Sequence, residues 1–464
     1  MVIAVVVILL VVGSVVFHIL SPWWFTPIAS NWQSVDDTVN MTIWVTGCVF
    51  VAVNLFLAWC IIKFRHKEGR KAEYEPENKK LEIWLVSISA VGIAALLAPG
   101  LIVWGDIVTV PEDAMEVETI GQQWHWSHRY PGKDGKFGDV DQSLISVANP
   151  FGMDPDDPTG MDDILVSSPE MHLPVNQPVK VLLRSKDVLH NFAVPQFRVK
   201  MDLVPGMVTF FWFEPTVEGT YDLLCEELCG IAHHAMKGSV VVESRDAYEQ
   251  WLGSHPTYAD TLNMPEPDLQ AGRASYAPCS GCHGQNGEGN LALNAPKLTG
   301  LDTAYLVRQV KNFQQGIRGT DPADTLGMQM RGMASTLSDD AAIDNVVAYI
   351  GTLPDLPAAK TITGDVEHGE ELYETCSYCH GKDGRGIWAM NAPRAAGMDD
   401  WYTAAQLKSF RDGLRGAHPQ DPYGQQMAQI ARMLNEDQEI NDLVAYMNTL
   451  GSTRVASLDS AESH

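Results

Sequence analysis

The chain opens with long unbroken apolar runs and continues with short apolar segments broken by proline, glycine and charge. Three of the early runs, residues 2–20, 41–62 and 83–104, are each long enough to cross the core of a bilayer as a helix. Trp23, Trp24, Trp44, Trp59, Trp84 and Trp104 fall near their ends, where aromatic side chains collect at the membrane–water boundary. The first run would serve as a cleaved leader only with a basic start and a small-residue cleavage site; it has neither, nor a lipobox cysteine, so retention is expected. The segment between the second and third runs, KFRHKEGRKAEYEPENKK at 63–80, carries seven Lys/Arg, and 21–40 carries none. Basic loops stay in the cytoplasm, so everything after 104 is expected outside, on the periplasmic face of a bacterial inner membrane.

From about 108 the pattern changes. Val and Phe recur in short runs such as VKVLLRS, MVTFFWF and GSVVVES, separated by Pro and Gly, which predicts an all-β sandwich or barrel ending near 246. Within it, GMDPDDPTGMDD at 152–163 is expected to be a solvated acidic loop. A proline-containing linker over 247–268 follows, then two helical domains at 269–356 and 357–451 and a flexible tail from 452 to 464.

Composition adds one exclusion. A mean hydropathy of −0.08 averages a very apolar first hundred residues with a soluble remainder. The net charge of −26 offers phosphates no basic patch, which argues against a nucleic-acid partner. An acidic surface suits either steering of a positively charged donor or plain solubility.

All eight cysteines can be placed. Cys48 and Cys60 lie in the second apolar run and read as buried apolar residues, while the other six form three pairs. Disulfides are the default in an oxidising compartment, but each pair has histidine beside it. CSGCH at 279–283 and CSYCH at 376–380 are haem-attachment motifs: Cys279 and Cys282, then Cys376 and Cys379, would bond the haem vinyls, with His283 and His380 on iron. A shift of 97 residues superposes the two segments without a gap, bringing NAP at 294–296 onto NAP at 391–393 and Tyr349 onto Tyr446. They are tandem copies of a domain so small that a haem would supply much of its apolar centre. The same shift selects the sixth ligand: Met328 and Met333 meet Gln425 and Ile430, and Met330 alone meets a methionine, Met427, each expected on a loop before the last helix. His/Met ligation leaves no open position on iron, which suits electron transfer. This di-haem segment resembles the di-haem cytochromes c.

The third pair lies in CEELCGIAHHAM at 225–236, where Cys225, Cys229, His233 and Met236 are spaced four, four and three apart, with His190 upstream in VLHNFAVP. Thiolate, imidazole and thioether form a soft set that favours electron-transfer copper. A Cys2His2 zinc site from Cys225, Cys229, His190 and His233 is the rival, and it leaves Met236 without a role.

Residues from about 31 to 242 closely resemble subunit II of the haem–copper oxygen reductases. The resemblance rests on two helices joined by a basic loop, GQQWHWSHRYPG at 121–132, VLHNFAVP, DLVPGM at 202–207 and the cysteine loop. It implies a cupredoxin fold and a binuclear copper centre. Cys225 and Cys229 would bridge the two metals, His190 and His233 would bind one each, and Met236 and the Glu227 carbonyl would be weak ligands. It further implies that Trp124 relays electrons to the copper and that Glu82, at the start of the third span, takes up protons from the cytoplasm. His234 matches no role and is expected at the surface. A first span ahead of the usual two, and the di-haem tail, are additions to the minimal subunit. The expected whole is thus membrane helices, an all-β cupredoxin-like domain and two all-α cytochrome c domains. It would be the electron-input subunit II of a proton-translocating cytochrome c oxidase, with subunit I, and subunit III as well, an external redox donor and membrane lipid as partners. The same module in a nitric oxide reductase, and a free-standing membrane electron carrier, are the alternatives.

Overall fold

The computed structural model describes residues 2–21, 26–71, 76–145, 149–263, 265–387 and 390–450; Trp23, Trp24 and the tail at 452–464 lie outside this set. Helices α1 (Val2–Leu20), α2 (Gln33–Lys63) and α3 (Lys79–Val108) are each long and apolar enough to cross a membrane. Both α2 and α3 run past the apolar spans, and the overhang carries the next domain. Asp36 on α2 takes two hydrogen bonds from the Arg198 guanidinium, at 2.7 and 2.8 Å. The Trp32 indole donates to the Trp212 carbonyl, and the Trp212 indole to the Asp106 carbonyl near the end of α3, each at 3.1 Å. A bidentate ion pair plus two indole bonds fixes orientation as well as distance.

The domain so held is a sandwich of two five-stranded sheets. Its strands are β1 (Met115–Gln122), β2 (His125–Tyr130), β3 (Ile164–Val166), β4 (Glu170–Pro174), β5 (Val179–Ser185), β6 (His190–Val194), β7 (Val199–Leu203), β8 (Thr209–Phe213), β9 (Gly219–Cys225) and β10 (Lys237–Glu243). One sheet runs β3-β2-β1-β5-β8 and the other β4-β10-β9-β6-β7, with β1–β5 and β4–β10 parallel and the other pairs antiparallel. Alternation on β5 sends Val179, Val181 and Leu183 inward and Lys180, Leu182 and Arg184 outward, the period of a half-buried strand. The core between the sheets is aromatic, with Trp126, Phe192, Phe197 and Phe213 all buried.

One expectation for this region is corrected. The acidic insertion at 152–163 is not simply solvated: Met153 and Asp163 are fully buried, and Phe151 and Met153 pack with Tyr258. Asp163 bonds the Arg129 guanidinium at 3.2 Å and the Gly138 amide at 3.0 Å, and burial pushes its carboxyl up to about 6. The stretch after 246 is folded. The linker forms α4 (Arg245–Leu252) and α5 (Tyr258–Leu262), which dock back on the sandwich. Tyr248 and Tyr258 are buried, and Trp251 stacks on His172 with ring centroids 4.0 Å apart. Large aromatic side chains within a polar, proline-containing stretch bury apolar area that a linker would leave in water.

The 97-residue repeat reappears helix by helix. The first copy comprises α6 (Leu269–His283), α7 (Thr303–Gln314), α8 (Thr325–Ala334) and α9 (Asp340–Gly351). The second comprises α10 (Val366–His380), α11 (Asp400–Arg411), α12 (Pro422–Ala431) and α13 (Asp437–Met447). In each copy the first helix crosses the last at a glycine. A methyl group on Gly369 would run into the Asp442 carbonyl oxygen, and one on Gly272 into that of Asn345. Helix propensity favours Gly369→Ala by ~1 kcal/mol, but the obstacle is backbone that cannot rotate away. Overpacking of ~1–3 kcal/mol wins, so the variant's second domain is expected to melt several degrees lower, followed by its haem absorbance. An unchanged or raised midpoint would show that the crossing relaxes freely.

Candidate metal centre and haem cavity

Strand pairing builds the metal centre. His190 opens β6 and Cys225 closes β9, with Phe192 opposite Cys225 in the antiparallel register. After Cys225 the chain loops through Glu227 and Cys229 to a 3-10 turn at His233–Ala235, and the Cys225 amide closes the loop on the Met236 carbonyl at 3.4 Å. All six atoms expected to be ligands gather around one sulfur pair. The sulfurs of Cys225 and Cys229 are 3.7 Å apart. His190 Nδ1 lies 4.0 Å from Cys225 and His233 Nδ1 3.4 Å from Cys229. The Glu227 carbonyl is 3.3 Å from Cys225 and the Met236 sulfur 3.8 Å from Cys229. Among the described residues, His190, Cys225 and Cys229 are the one group of three whose ligand atoms lie within 4.8 Å of one another. His234 is exposed, as expected.

The electrostatics suit a cation. The hydrogen bond shared by the two sulfurs holds the Cys225 thiol well below its ordinary value and, with burial, pushes Cys229 well above. Only one of the two sulfurs is thus ionised on its own, and ionising both side by side would require positive charge between them. Burial pulls His190 down, but hydrogen bonds to Asp187 and Cys225 outweigh it and leave it raised. Asp187 was not foreseen. It accepts from His190 Nε2 at 2.8 Å and from the Gln123 amide at 2.7 Å, which fixes the ring with Nδ1 turned to the sulfurs. Ligating histidines commonly carry such a carboxylate. The signal in the sequence was an aspartate three residues before the histidine.

Trp124 is beside the centre but is not open to solvent. Its indole donates to the Cys229 carbonyl at 3.2 Å, and its own carbonyl accepts from Gln426 on α12 at 2.8 Å. On the neighbouring residue His125, burial holds the ring down at about 4 and hence neutral, and the Tyr423 hydroxyl lies 3.3 Å from it. The α12 helix also packs on the 3-10 turn bearing His233, and Cys379 and Met390 pack against the sandwich core. Glu82 is exposed in the first turn of α3, at the end remote from the sandwich.

Both CxxCH motifs open onto one cavity of about 1100 Å³ that also reaches Trp124. His283 Nδ1 donates to the Pro296 carbonyl and His380 Nδ1 to the Pro393 carbonyl, each at 2.7 Å. Burial keeps both rings neutral, so each presents a free Nε2 lone pair. Met330 and Met427 line the cavity; Met328 does not, while Met333 does. Met330 and Met427 stand within α8 and α12 rather than on the expected loop, because capping by Asp324 and Asp421 starts those helices ahead of them.

The two copies meet through a ring of polar side chains, among them Arg318 and Arg415, which the 97-residue register pairs without giving them a role. Arg318 donates to Gln309, Tyr402 and Gln406, and Arg415 to Gln406, Tyr305 and Gln309, over 2.8–3.1 Å. Among the described residues, the buried Nε of Arg318 has no hydrogen-bond partner.

A membrane-anchored chain that joins a sulfur–imidazole metal centre on a β-sandwich to two haem-attachment domains is, by fold and donor set, an electron-transfer protein. The family model for the cytochrome c oxidase subunit II periplasmic domain matches residues 115–245, and that for cytochrome c matches 269–354 and 366–451. The alternative cytochrome c oxidase subunit 2 of Bradyrhizobium diazoefficiens is 57% identical over 259 residues, covering 56% of this chain and 94% of that relative. The cytochrome c oxidase subunit 2 of Cereibacter sphaeroides is 30% identical over 244 residues, 49% of this chain and 77% of its own. The chain belongs to the cytochrome c oxidase subunit II family and carries two cytochrome c domains in addition. Its role is electron input to an oxidoreductase, from domains on the periplasmic side of the membrane, and those domains imply copper and haem c.

Proposed function

We propose that this chain takes electrons from an external donor onto its two haem domains and delivers them through a binuclear copper centre to a separate catalytic subunit that reduces oxygen. The observation that carries this reading is the single cavity holding both CxxCH motifs and reaching Trp124, whose indole bonds the Cys229 carbonyl. The donor set fits a pair of coppers. Each histidine stands nearest a different sulfur, and the two weak donors, the Glu227 carbonyl and Met236, are likewise divided between Cys225 and Cys229. A single tetrahedral zinc would draw both imidazoles to one point and leave the thioether idle. The cavity fits haem: its lining is largely apolar, and the buried Arg318 Nε awaits an acidic partner such as a propionate.

Bound there, the copper pair and the haems supply one-electron couples. Cys225, Cys229, His190 and His233 would hold the copper, with Met236 and the Glu227 carbonyl as weaker donors, and Asp187 keeps His190 Nδ1 turned to the sulfurs. Cys279 and Cys282, with Cys376 and Cys379, anchor the porphyrins. His283 and Met330, and likewise His380 and Met427, would hold the two irons. Trp124 ties the haem domains to the copper loop, and Glu82 stands where a proton path from the cytoplasm would begin. Subunit I, subunit III, the donor and boundary lipid are the partners of this reading.

Purified from the membrane, the chain should come with a large haem-bearing subunit, and the complex should consume oxygen with reduced cytochrome. Nitric oxide consumption without oxygen consumption, or absence of the partner, would overturn the assignment. Met330→Ala and Met427→Ala should each keep covalent haem while losing methionine ligation, and lowering the potential, at one iron. Met328→Ala should do neither; loss of ligation there would place the first axial ligand wrongly.

A further inference from the structure

The two haem domains are copies, yet they stand differently in the molecule, and the difference assigns them an order. In the second copy one face is covered. Gln426 donates to the Trp124 carbonyl at 2.8 Å, Tyr423 meets His125 with ring centroids 5.2 Å apart, and Met390 packs on the sandwich core. Gln426 is the immediate neighbour of Met427. A short path of covalent and hydrogen bonds therefore runs from α12 through Trp124 to the Cys229 carbonyl at the metal centre. Shifted back by 97, this face becomes Leu293, Leu326 and Gln329 of the first copy. There no described residue of the sandwich covers it: Leu293 and Leu326, at the lining of the cavity, are 50% and 45% exposed, and the adjoining Met328, which does not line it, is 49% exposed. Both copies line the same cavity, so the contrast comes from the sandwich that caps one and not the other.

We propose that this uncovered face of the first haem domain is the docking surface for the external donor, so that electrons pass through the first haem domain, then the second, then the copper centre. The inference rests on the electron-input reading above. The occupant is a soluble redox protein with an apolar patch over its redox centre and a basic rim. The apolar patch follows from Leu293, Leu326 and Met328. A basic rim suits the chain's overall charge of −26, which would draw such a protein toward the molecule and repel an acidic one. The step would be a bare electron transfer, one electron leaving the donor's reduced centre for the haem that Cys279, Cys282 and His283 would hold. On this order Trp124 no longer serves soluble donors. The second haem domain occupies the surface over it.

The test uses the intact membrane complex and a pre-reduced basic monohaem cytochrome c in stopped flow. Leu326→Lys and Leu293→Lys remove apolar contact and add charge of the donor's own sign. Each should slow bimolecular haem reduction about tenfold or more. Val366→Lys, a similarly exposed apolar position on α10, should match the wild type, and Met328→Lys, at an exposed side chain outside the cavity lining, should slow the bimolecular step while leaving reduction by a small mediator unchanged. Gln426→Ala should leave the bimolecular step alone and slow the later reduction of copper several-fold, with the haem bands and the copper resonance unaltered. Rates for Leu326→Lys and Leu293→Lys equal to that of Val366→Lys would overturn the docking face. So would a changed oligomeric state in those variants, which would give the face to a second copy of the chain. Copper reduced ahead of both haems in the wild type would instead defeat the electron-input reading itself.

Discussion

Cys225→Ser in the full chain is expected to remove both coppers while leaving two covalent haems and the membrane anchor in place. The reason lies in the sulfur pair. At 3.7 Å the two sulfurs form one unit, and each expected ligand stands beside one or the other, so no half of the centre survives alone. A serine hydroxyl is neither ionised near neutral pH nor soft enough to replace a thiolate. Copper per chain should fall from two toward zero, and the spin resonance of one electron shared over two nuclei should vanish. Cys229→Ser should do the same. Asp187→Asn is milder: it keeps the shape but replaces the charged acceptor of the His190 N–H, and a lost outer partner weakens metal binding by about 10–100-fold. If wild-type protein instead takes up one zinc per chain and refuses copper, the binuclear assignment falls.

Ending the chain after Asn263 should leave an assembled, copper-loaded complex that turns over slowly with its native donor. Tethering holds the haem domains at the metal centre at an effective concentration on the order of mM, which a free donor in solution does not match. Turnover with that donor should fall by an order of magnitude or more. A small reductant acting at the newly uncovered Trp124 should still drive gas consumption, and the separate di-haem fragment at high concentration should restore part of the loss. The site of the cut matters. Ending at Asp246 would also strip away Tyr248, Trp251 and Tyr258, each a large side chain packed on the sandwich. Losing ~1.5–3 kcal/mol for each such residue would make the copper domain melt well below the form ending at Asn263. Equal melting of the two forms would show that α4 and α5 contribute nothing, and undiminished native turnover would show that the haems are not the main route in.

Much of the site was legible because its chemistry is local in sequence. The CxxCH motifs and the loop at 225–236 bring their ligands together by spacing alone, and the 97-residue register singled out Met330 and Met427 without any structure. The parts that escaped depend on surfaces meeting. Asp187 is an ordinary aspartate until β6 turns His190 toward it. Arg318 and Arg415 look like solvated charges until two copies face each other and enclose them. The stretch at 247–263 reads as a linker because its tyrosines and tryptophan are spaced irregularly, and burial of isolated aromatics leaves no period to detect.

Sequence by itself determined the membrane anchor, the side of the membrane, the kinds of metal donor and the duplication. Each of these follows from composition or spacing within one segment, where neighbours in the chain are neighbours in space. Only the tertiary structure decided which haem domain lies against the copper loop, that Trp124 is covered, and that one of two matching faces stays open. A repeat makes its two copies equivalent in sequence; docking one of them on the sandwich through Tyr423, Gln426 and Met390 is what makes them different.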